Sequence, residues 1–216
     1  DSARLHYRAW KQLADEIGVP FDPAVNLRLK GVDRQRSLDI VLEKSDRAYS
    51  HEQKQMLAAR KNEYFRGHIA KLGPDDLLPG ARRALLTARG RGARLALASA
   101  SLNASALIGQ LGISGLFDHV VDPQSVCRGK PAPDLFLTAA RALCVPASAC
   151  IGVEDAKAGI EAIKAAGMYA IGVGDAQELA CADSVVASVA DLAIERFLDA
   201  RDDDPLLRPP LGERVL

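Results

Sequence analysis

The sequence predicts an α/β protein in which a parallel sheet is covered by helices on both faces and preceded by a helical region. Three observations carry that prediction. Apolar residues recur at helical spacing, with caps, to about residue 71. The stretch LGPDDLLPG (residues 72–80) then breaks the pattern, as a hinge or domain boundary would. Beyond it, short apolar runs alternate with amphipathic stretches, the rhythm of strand and crossover helix. The division that follows is 1–75 for the helical part, 76–200 for the α/β part, and 201–216 for a charged, Pro-rich tail or linker.

Each element has its own local reason. Asp1 or Ser2 can cap a first helix whose Leu5, Ala9, Leu13 and Ile17 share a face and which Gly18 closes. A second helix follows Asp33, with Leu38, Val41 and Leu42 on its apolar side. A third begins at Ser50, where Gln53 completes a capping box, and runs to about Lys71. Strands are expected at 94–98 (RLALA), 119–122, 150–153, 169–173 and, weakly, 185–186. Helices are expected at 103–111, stopped by Gly112, at 133–143 with Pro in the first turn, at 156–166, closed by Gly167, and from 191 to about 200. Trp10 and Met56 read as packing residues.

Composition narrows the function. The 216 residues carry 28 basic and 28 acidic side chains, so no electrostatic footprint for nucleic acid or an anionic membrane is present. Apolar and charged shares of 48% and 26% are those of a folded globular chain. No apolar run approaches the ~20 residues that span a bilayer, and no signal-peptide pattern opens the chain. Cys127, Cys144, Cys150 and Cys181 form no C-x-x-C pair, and reduced core thiols in a cytoplasmic monomer are the expectation.

Ligands of open α/β sheets gather at the carboxyl ends of the strands. There the sequence places Ser99, Ser101 and Asn103 after RLALA, a hydroxyl-rich turn suited to phosphate, although N-capping alone would use the same residues. Glu154 and Asp155 follow CIGV, and adjacent carboxylates at the end of a buried strand call for a hard cation, typically Mg²⁺ beside phosphate, unless one merely caps the next helix. Lys130 sits in the Pro-bracketed turn GKPAPD, placed for a phosphate or a carboxylate, or else for solvent. Together the three clusters suit magnesium-assisted phosphoryl chemistry. Arg34 stands in the first turn of its helix, against the macrodipole, which invites a functional explanation. His6 beside Leu5 reads equally as a polar edge residue.

The order LASAS, SVCRGKPAPD, IGVEDAKAGI resembles the haloacid dehalogenase-like superfamily of phosphotransferases, and the helical first third resembles its helical cap. HYRAWKQLADEIGV, LKGVDRQRSL, ARKN and LASASLN narrow the resemblance to the sugar phosphomutases of that superfamily, over residues 1 to about 174. The resemblance implies a Rossmannoid core with a helical cap, Mg²⁺ as cofactor and small sugar phosphates as substrates. It implies that Ser99 and Lys130 hold the transferring phosphoryl group and that Glu154 and Asp155 are the metal side chains. It further implies that Arg34, Ser101 and Asn103 grip a second phosphate, that Lys30, Gly31, Val32, Ser37, Lys61 and Asn62 read the sugar, and that His6 lies near the general acid/base.

The chain departs from that family in one respect. Its nucleophile and general acid/base are the aspartates of a D-x-D-G-[TV] motif ending the first, central strand, and no such motif occurs here; Asp1-Ser2 matches the D-[ST] just after it. The expectation is an enzyme whose N-terminal segment is missing from this sequence, inactive as it stands and split through its core. The alternatives are a sugar-phosphate phosphatase of the same superfamily and a catalytically dead binding module. A dinucleotide-binding protein is disfavoured, because no G-x-G-x-x-G follows the first visible strand.

Overall fold

The computed structural model describes residues 2–202, so Asp1 and nearly all of the expected tail lie outside the described residues. Four helices make the first part. Helix α1 (Ala3–Glu16) begins at Ser2, whose side chain makes no cap; its carbonyl instead accepts the amides of Leu5 and His6. Gly18, at φ +69°, ends it in the left-handed conformation that glycine tolerates. A short helix α2 (Pro23–Leu27), capped by Asp22, was not anticipated. Helix α3 (Arg34–Leu42) starts at Asp33, whose carboxylate accepts the Arg36 amide at 3.0 Å. Helix α4 (His51–Ile69) has both halves of the Ser50–Gln53 capping box.

These helices bury a core of Trp10, Leu13, Leu38, Val41 and Leu57, joined by Phe65 and Ile69 on α4. Met56 does not belong to it. The side chain is 65% exposed, because α4 turns Leu57 and Ala58 inward and leaves 56 on the solvent side.

After Gly80, where φ is +84°, helix α5 (Ala81–Gly90) precedes the first strand. Strand β1 (Ala96–Leu97) pairs in parallel with β2 (His119–Val120). Both are shorter than expected; at the start of β1 the Leu95 amide goes to the Asp118 carboxylate rather than to a strand. Helices α6 (Ala104–Gln110) and α7 (Asp134–Ala142) follow β1 and β2. Strands β3 (Ile151–Glu154), β4 (Tyr169–Val173) and β5 (Ser184–Val186) form a second parallel ladder, with helix α8 (Lys157–Ala165) between β3 and β4 and α9 (Ile194–Asp202) after β5.

Alternation along β4 covers both faces of this ladder. Ala170 packs with Ile160 and Ile163 of α8, whereas Ile171 packs with Ala84 and Ala88 of α5 and with Ile194 of α9. Gly152 lets α8 approach so closely that a Cβ there would lie 2.6 Å from Ile163. The described strands form two ladders rather than one sheet: β1 and β3 pair with β2 and β4 but not with each other. Val153, mid-strand in β3, is 43% exposed.

The cysteines correct the expectation of core thiols. Cys127, Cys144 and Cys181 are exposed and Cys150 is partly buried, and no disulfide joins any of them among the described residues. Apolar neighbours in sequence place a residue in the core only when the backbone turns it inward. Cys144, at φ +53°, instead sits in the tight turn after α7. No helix among the described residues is long and apolar enough to cross a membrane.

Candidate active site

A cleft of about 570 Å³ separates the helical part from the ends of β1 and β3, a size that suits a small molecule. Every candidate named from the sequence lines it: His6, Lys30, Gly31, Val32, Arg34, Ser37, Lys61 and Asn62 from the helical wall, and Ser99, Ser101, Asn103, Lys130, Glu154 and Asp155 from the α/β wall.

On the α/β wall, the turn after β1 is organised by its own hydroxyls. Ser99 Oγ accepts the amide of Ser101 at 3.1 Å, and Ser101 Oγ accepts that of Asn103 at 3.3 Å. Asn103 does not cap α6 with its side chain. Its amide instead crosses the cleft, and Nδ2 donates to Oδ1 of Asn62 at 2.7 Å. A polar contact thus joins the two walls. Gly31, at φ +73°, adds an apolar approach, since a Cβ there would meet Ala156 at 3.4 Å.

Lys130 and Glu154 form a buried ion pair of 2.5 Å, with side chains 7% and 10% exposed. The Lys130 ammonium also lies 4.9 Å from the centre of the Phe136 ring. The second Glu154 oxygen accepts the amides of Asp155 and Ala156 at 3.1 and 3.2 Å. The loop leading to Lys130 is fastened by Arg128 to Asp134 at 3.0 Å. Desolvation in the cleft wall, and then the charge of Glu154, raise the Asp155 carboxyl above its ordinary range, while Lys30 opposes that rise. No group of three or more acidic, histidine or cysteine side chains suited to a metal occurs among the described residues. Two carboxylates fit a small hard cation that takes its other ligands from phosphate and water, which is the habit of Mg²⁺.

On the helical wall, Lys61 is 2% exposed and its ammonium lies between two aromatic faces, 4.7 Å from Trp10 and 4.8 Å from Phe65. Burial, and then the nearby Arg34, lower its pKa from 10.5 to about 7. His6 stacks on Phe65 at 3.9 Å and is lowered to about 3 by burial, Lys61 and Arg34. Arg34 is half-buried, and among the described residues its guanidinium makes no hydrogen bond or ion pair. Ser37 is buried and donates to the Val32 carbonyl at 3.4 Å, so its hydroxyl steadies the loop that carries Lys30 and Gly31.

Sequence reasoning missed the aromatic supports of the two lysines. Trp10 is one helical turn after His6 and Phe65 one turn after Lys61, both usable signals; Phe136 lies beyond the turn that carries Lys130 and had none.

The chain belongs to the haloacid dehalogenase-like hydrolases, whose family model matches residues 1–167. It is an enzyme of that superfamily and is phosphoglucomutase-like. It is 44% identical over 197 residues to β-phosphoglucomutase of Bacillus subtilis, covering 90% of this chain and 87% of that protein. The crystal structure of β-phosphoglucomutase from Clostridium difficile superimposes with a TM-score of 0.88 at 39% identity, over 92% of this chain and 90% of the other. A fructose-1-phosphate phosphatase of Escherichia coli is 31% identical over 80% of this chain and 89% of its own length.

Proposed function

We propose that the chain is a Mg²⁺-dependent β-phosphoglucomutase of the cytoplasm, interconverting β-glucose 1-phosphate and glucose 6-phosphate through β-glucose 1,6-bisphosphate and an aspartyl-phosphate. The observation that carries the proposal is Arg34. A half-buried guanidinium with no partner among the described residues faces the same cleft as Ser99, Lys130, Glu154 and Asp155. A cleft with phosphate-binding groups on both walls suits a substrate with phosphate at both ends.

On this reading residues 1–75 are the cap and 76–200 the core. Ser99 and Lys130 bind the phosphoryl group in transfer, and Arg34, with Ser101 and Asn103, holds the distal phosphate. Lys30, Gly31, Val32, Ser37, Lys61 and Asn62 face the sugar, and His6 lies near the general acid/base. Glu154 and Asp155 would hold Mg²⁺, whose charge would offset that of the phosphoryl oxygens. The cap, drawn to the core through Asn62–Asn103 and Gly31–Ala156, would exclude water and so favour transfer to sugar over hydrolysis. These residues bind and neutralise, but none of them is the aspartate that accepts the phosphoryl group. The 216 residues alone are therefore proposed to bind sugar phosphates without turning them over.

The second reading, a sugar-phosphate phosphatase, is favoured by the Escherichia coli relative. Glucose 6-phosphate formation and phosphate release, measured with Mg²⁺ and catalytic bisphosphate, separate the two. The comparison uses the chain alone and the chain preceded by a segment ending in D-x-D-G-V. The proposal expects isomerisation to outpace phosphate release in the extended protein and neither reaction in the other. Phosphate release as the dominant reaction would overturn it in favour of the phosphatase.

A further inference from the structure

Gly159 is the third residue of α8, buried, and has an ordinary helical backbone. Alanine would favour such a helix over glycine, so local conformation gives no reason for glycine here. The reason lies outside the helix. A Cβ at 159 would overlap Cγ, Cδ and Oε2 of Glu154, far inside contact distance. The Glu154 carboxylate is not free to swing away. One oxygen takes the Lys130 ammonium at 2.5 Å, and the other takes the amides of Asp155 and Ala156. Moving it would leave a buried ammonium and two strand-end amides without their acceptor.

We propose that Gly159 is a positioning residue of the cleft: its missing Cβ is the seat that holds the Glu154 carboxylate, and through it the Lys130 ammonium and the cation-binding edge shared with Asp155. The part that concerns the cation rests on the function proposed above; the seat itself rests on geometry alone.

The test compares the 216-residue chain with Gly159→Ala, Glu154→Ala and the double variant. Two readouts are taken: amide hydrogen exchange at Asp155 and Ala156, and Mn²⁺ affinity by electron paramagnetic resonance. Gly159→Ala should keep its helical signal, exchange both amides faster and bind Mn²⁺ about 10-fold or more weakly, as expected when a ligand is displaced. Added to Glu154→Ala, which removes both the carboxylate and the Cγ that the new methyl group would strike, Gly159→Ala should change neither readout further. A merely structural glycine would show no such dependence on Glu154. Unchanged amides and Mn²⁺ affinity in Gly159→Ala, or an equal further loss from it in the Glu154→Ala background, would overturn the proposal. Should Gly159→Ala fail to fold, a double variant as well folded as Glu154→Ala supports the seat and a less well folded one refutes it. Wild-type Mn²⁺ binding that is indifferent to Glu154→Gln would count against the metal reading, while the amide exchange would still decide the seat.

Discussion

The Lys61 ammonium lies 2.8 Å from Nδ1 of His6, a contact between residues 55 positions apart that joins α4 to α1 at the wall of the cleft. An ammonium has no lone pair, so Lys61 donates and His6 accepts, which places the imidazole proton on Nε2. Lysine lowered to about 7 and histidine lowered to about 3 leave His6 neutral and Lys61 near half-charged at physiological pH.

The pair makes stability depend on pH in a definite direction. Between pH 7 and 10.5 the unfolded chain binds a proton at Lys61 that the folded chain lacks, so this group favours folding increasingly as pH rises. Between about 3 and 6.5 the same holds for His6, and its contribution is lost as pH falls. Denaturant titrations at pH 7 and 10 should show a rise for the wild type that Lys61→Met lacks. Titration of ¹³C-labelled lysines should show one resonance with a midpoint near 7, moved upward by saturating phosphate. A Lys61 midpoint near 10 without ligand would refute the burial argument.

Asp155→Asn, in the protein extended by a D-x-D-G-V segment, should lower turnover by ~10²-fold or more, because on the proposed reading this carboxylate would hold the cation that orients phosphate. The raised proton affinity of Asp155 adds a second expectation: Mg²⁺ binding should tighten with rising pH through the carboxyl's titration, since proton and metal compete for the same oxygens. Calorimetric Mg²⁺ titrations at several pH values would check this, and an Asn variant with unchanged turnover in limiting Mg²⁺ would rule out the assignment.

Arg34→Ala separates mutase from phosphatase. The guanidinium is half-buried and has no protein partner among the described residues, so a distal phosphate would be its counter-ion. Its removal should cost roughly 2–4 kcal/mol of transition-state binding. The loss should fall on isomerisation and spare hydrolysis of a small phosphoester, which has no second phosphate to hold. Equal losses in both steady-state assays, or none in isomerisation, would reject the role.

How much of this was legible in the sequence depended on whether the cause was local. The Ser50–Gln53 box, the Asp33 cap and the left-handed glycines at 18, 112 and 167 are short-range chemistry, and the elements they bound fall within a few residues of expectation. Helix α5 was not expected, and its sequence ARRALLTARG is crowded with arginines. In the structure these reach sideways to carbonyls: Arg82 to Leu111 and Gly112, Arg83 to Ala190, and Arg89 to Leu116. The cleft residues were named because strand ends and family motifs mark them. The supports behind them were not, although Phe65 stands one helical turn after Lys61 on α4; Phe136 and Gly159 act across a turn or a strand-to-helix junction whose geometry spacing alone does not give.

The last prediction concerns the interruption between β1 and β3. Both strands end at the cleft, each is paired on one side only among the described residues, and Val153 stands 43% exposed in the middle of β3. A parallel strand laid between them would complete both ladders, cover Val153 and carry whatever follows it to the cleft beside Ser99, Glu154 and Asp155. Each apolar side chain it buried would add ~1.5–3 kcal/mol, a large increment against a typical domain stability of ~5–15 kcal/mol. An added N-terminal segment of strand pattern ending in D-x-D-G-V should therefore raise the melting temperature by several degrees and sharpen the transition. It should also confer glucose 6-phosphate formation. Changing its first aspartate to alanine should keep the added stability and abolish the activity, since that residue would accept the phosphoryl group without contributing to the strand's packing. Melts and a coupled assay on the three proteins would check this. Full activity in the unextended chain, or an extension that leaves the melting temperature unchanged, would show that the space between β1 and β3 does not receive a strand bearing the nucleophile.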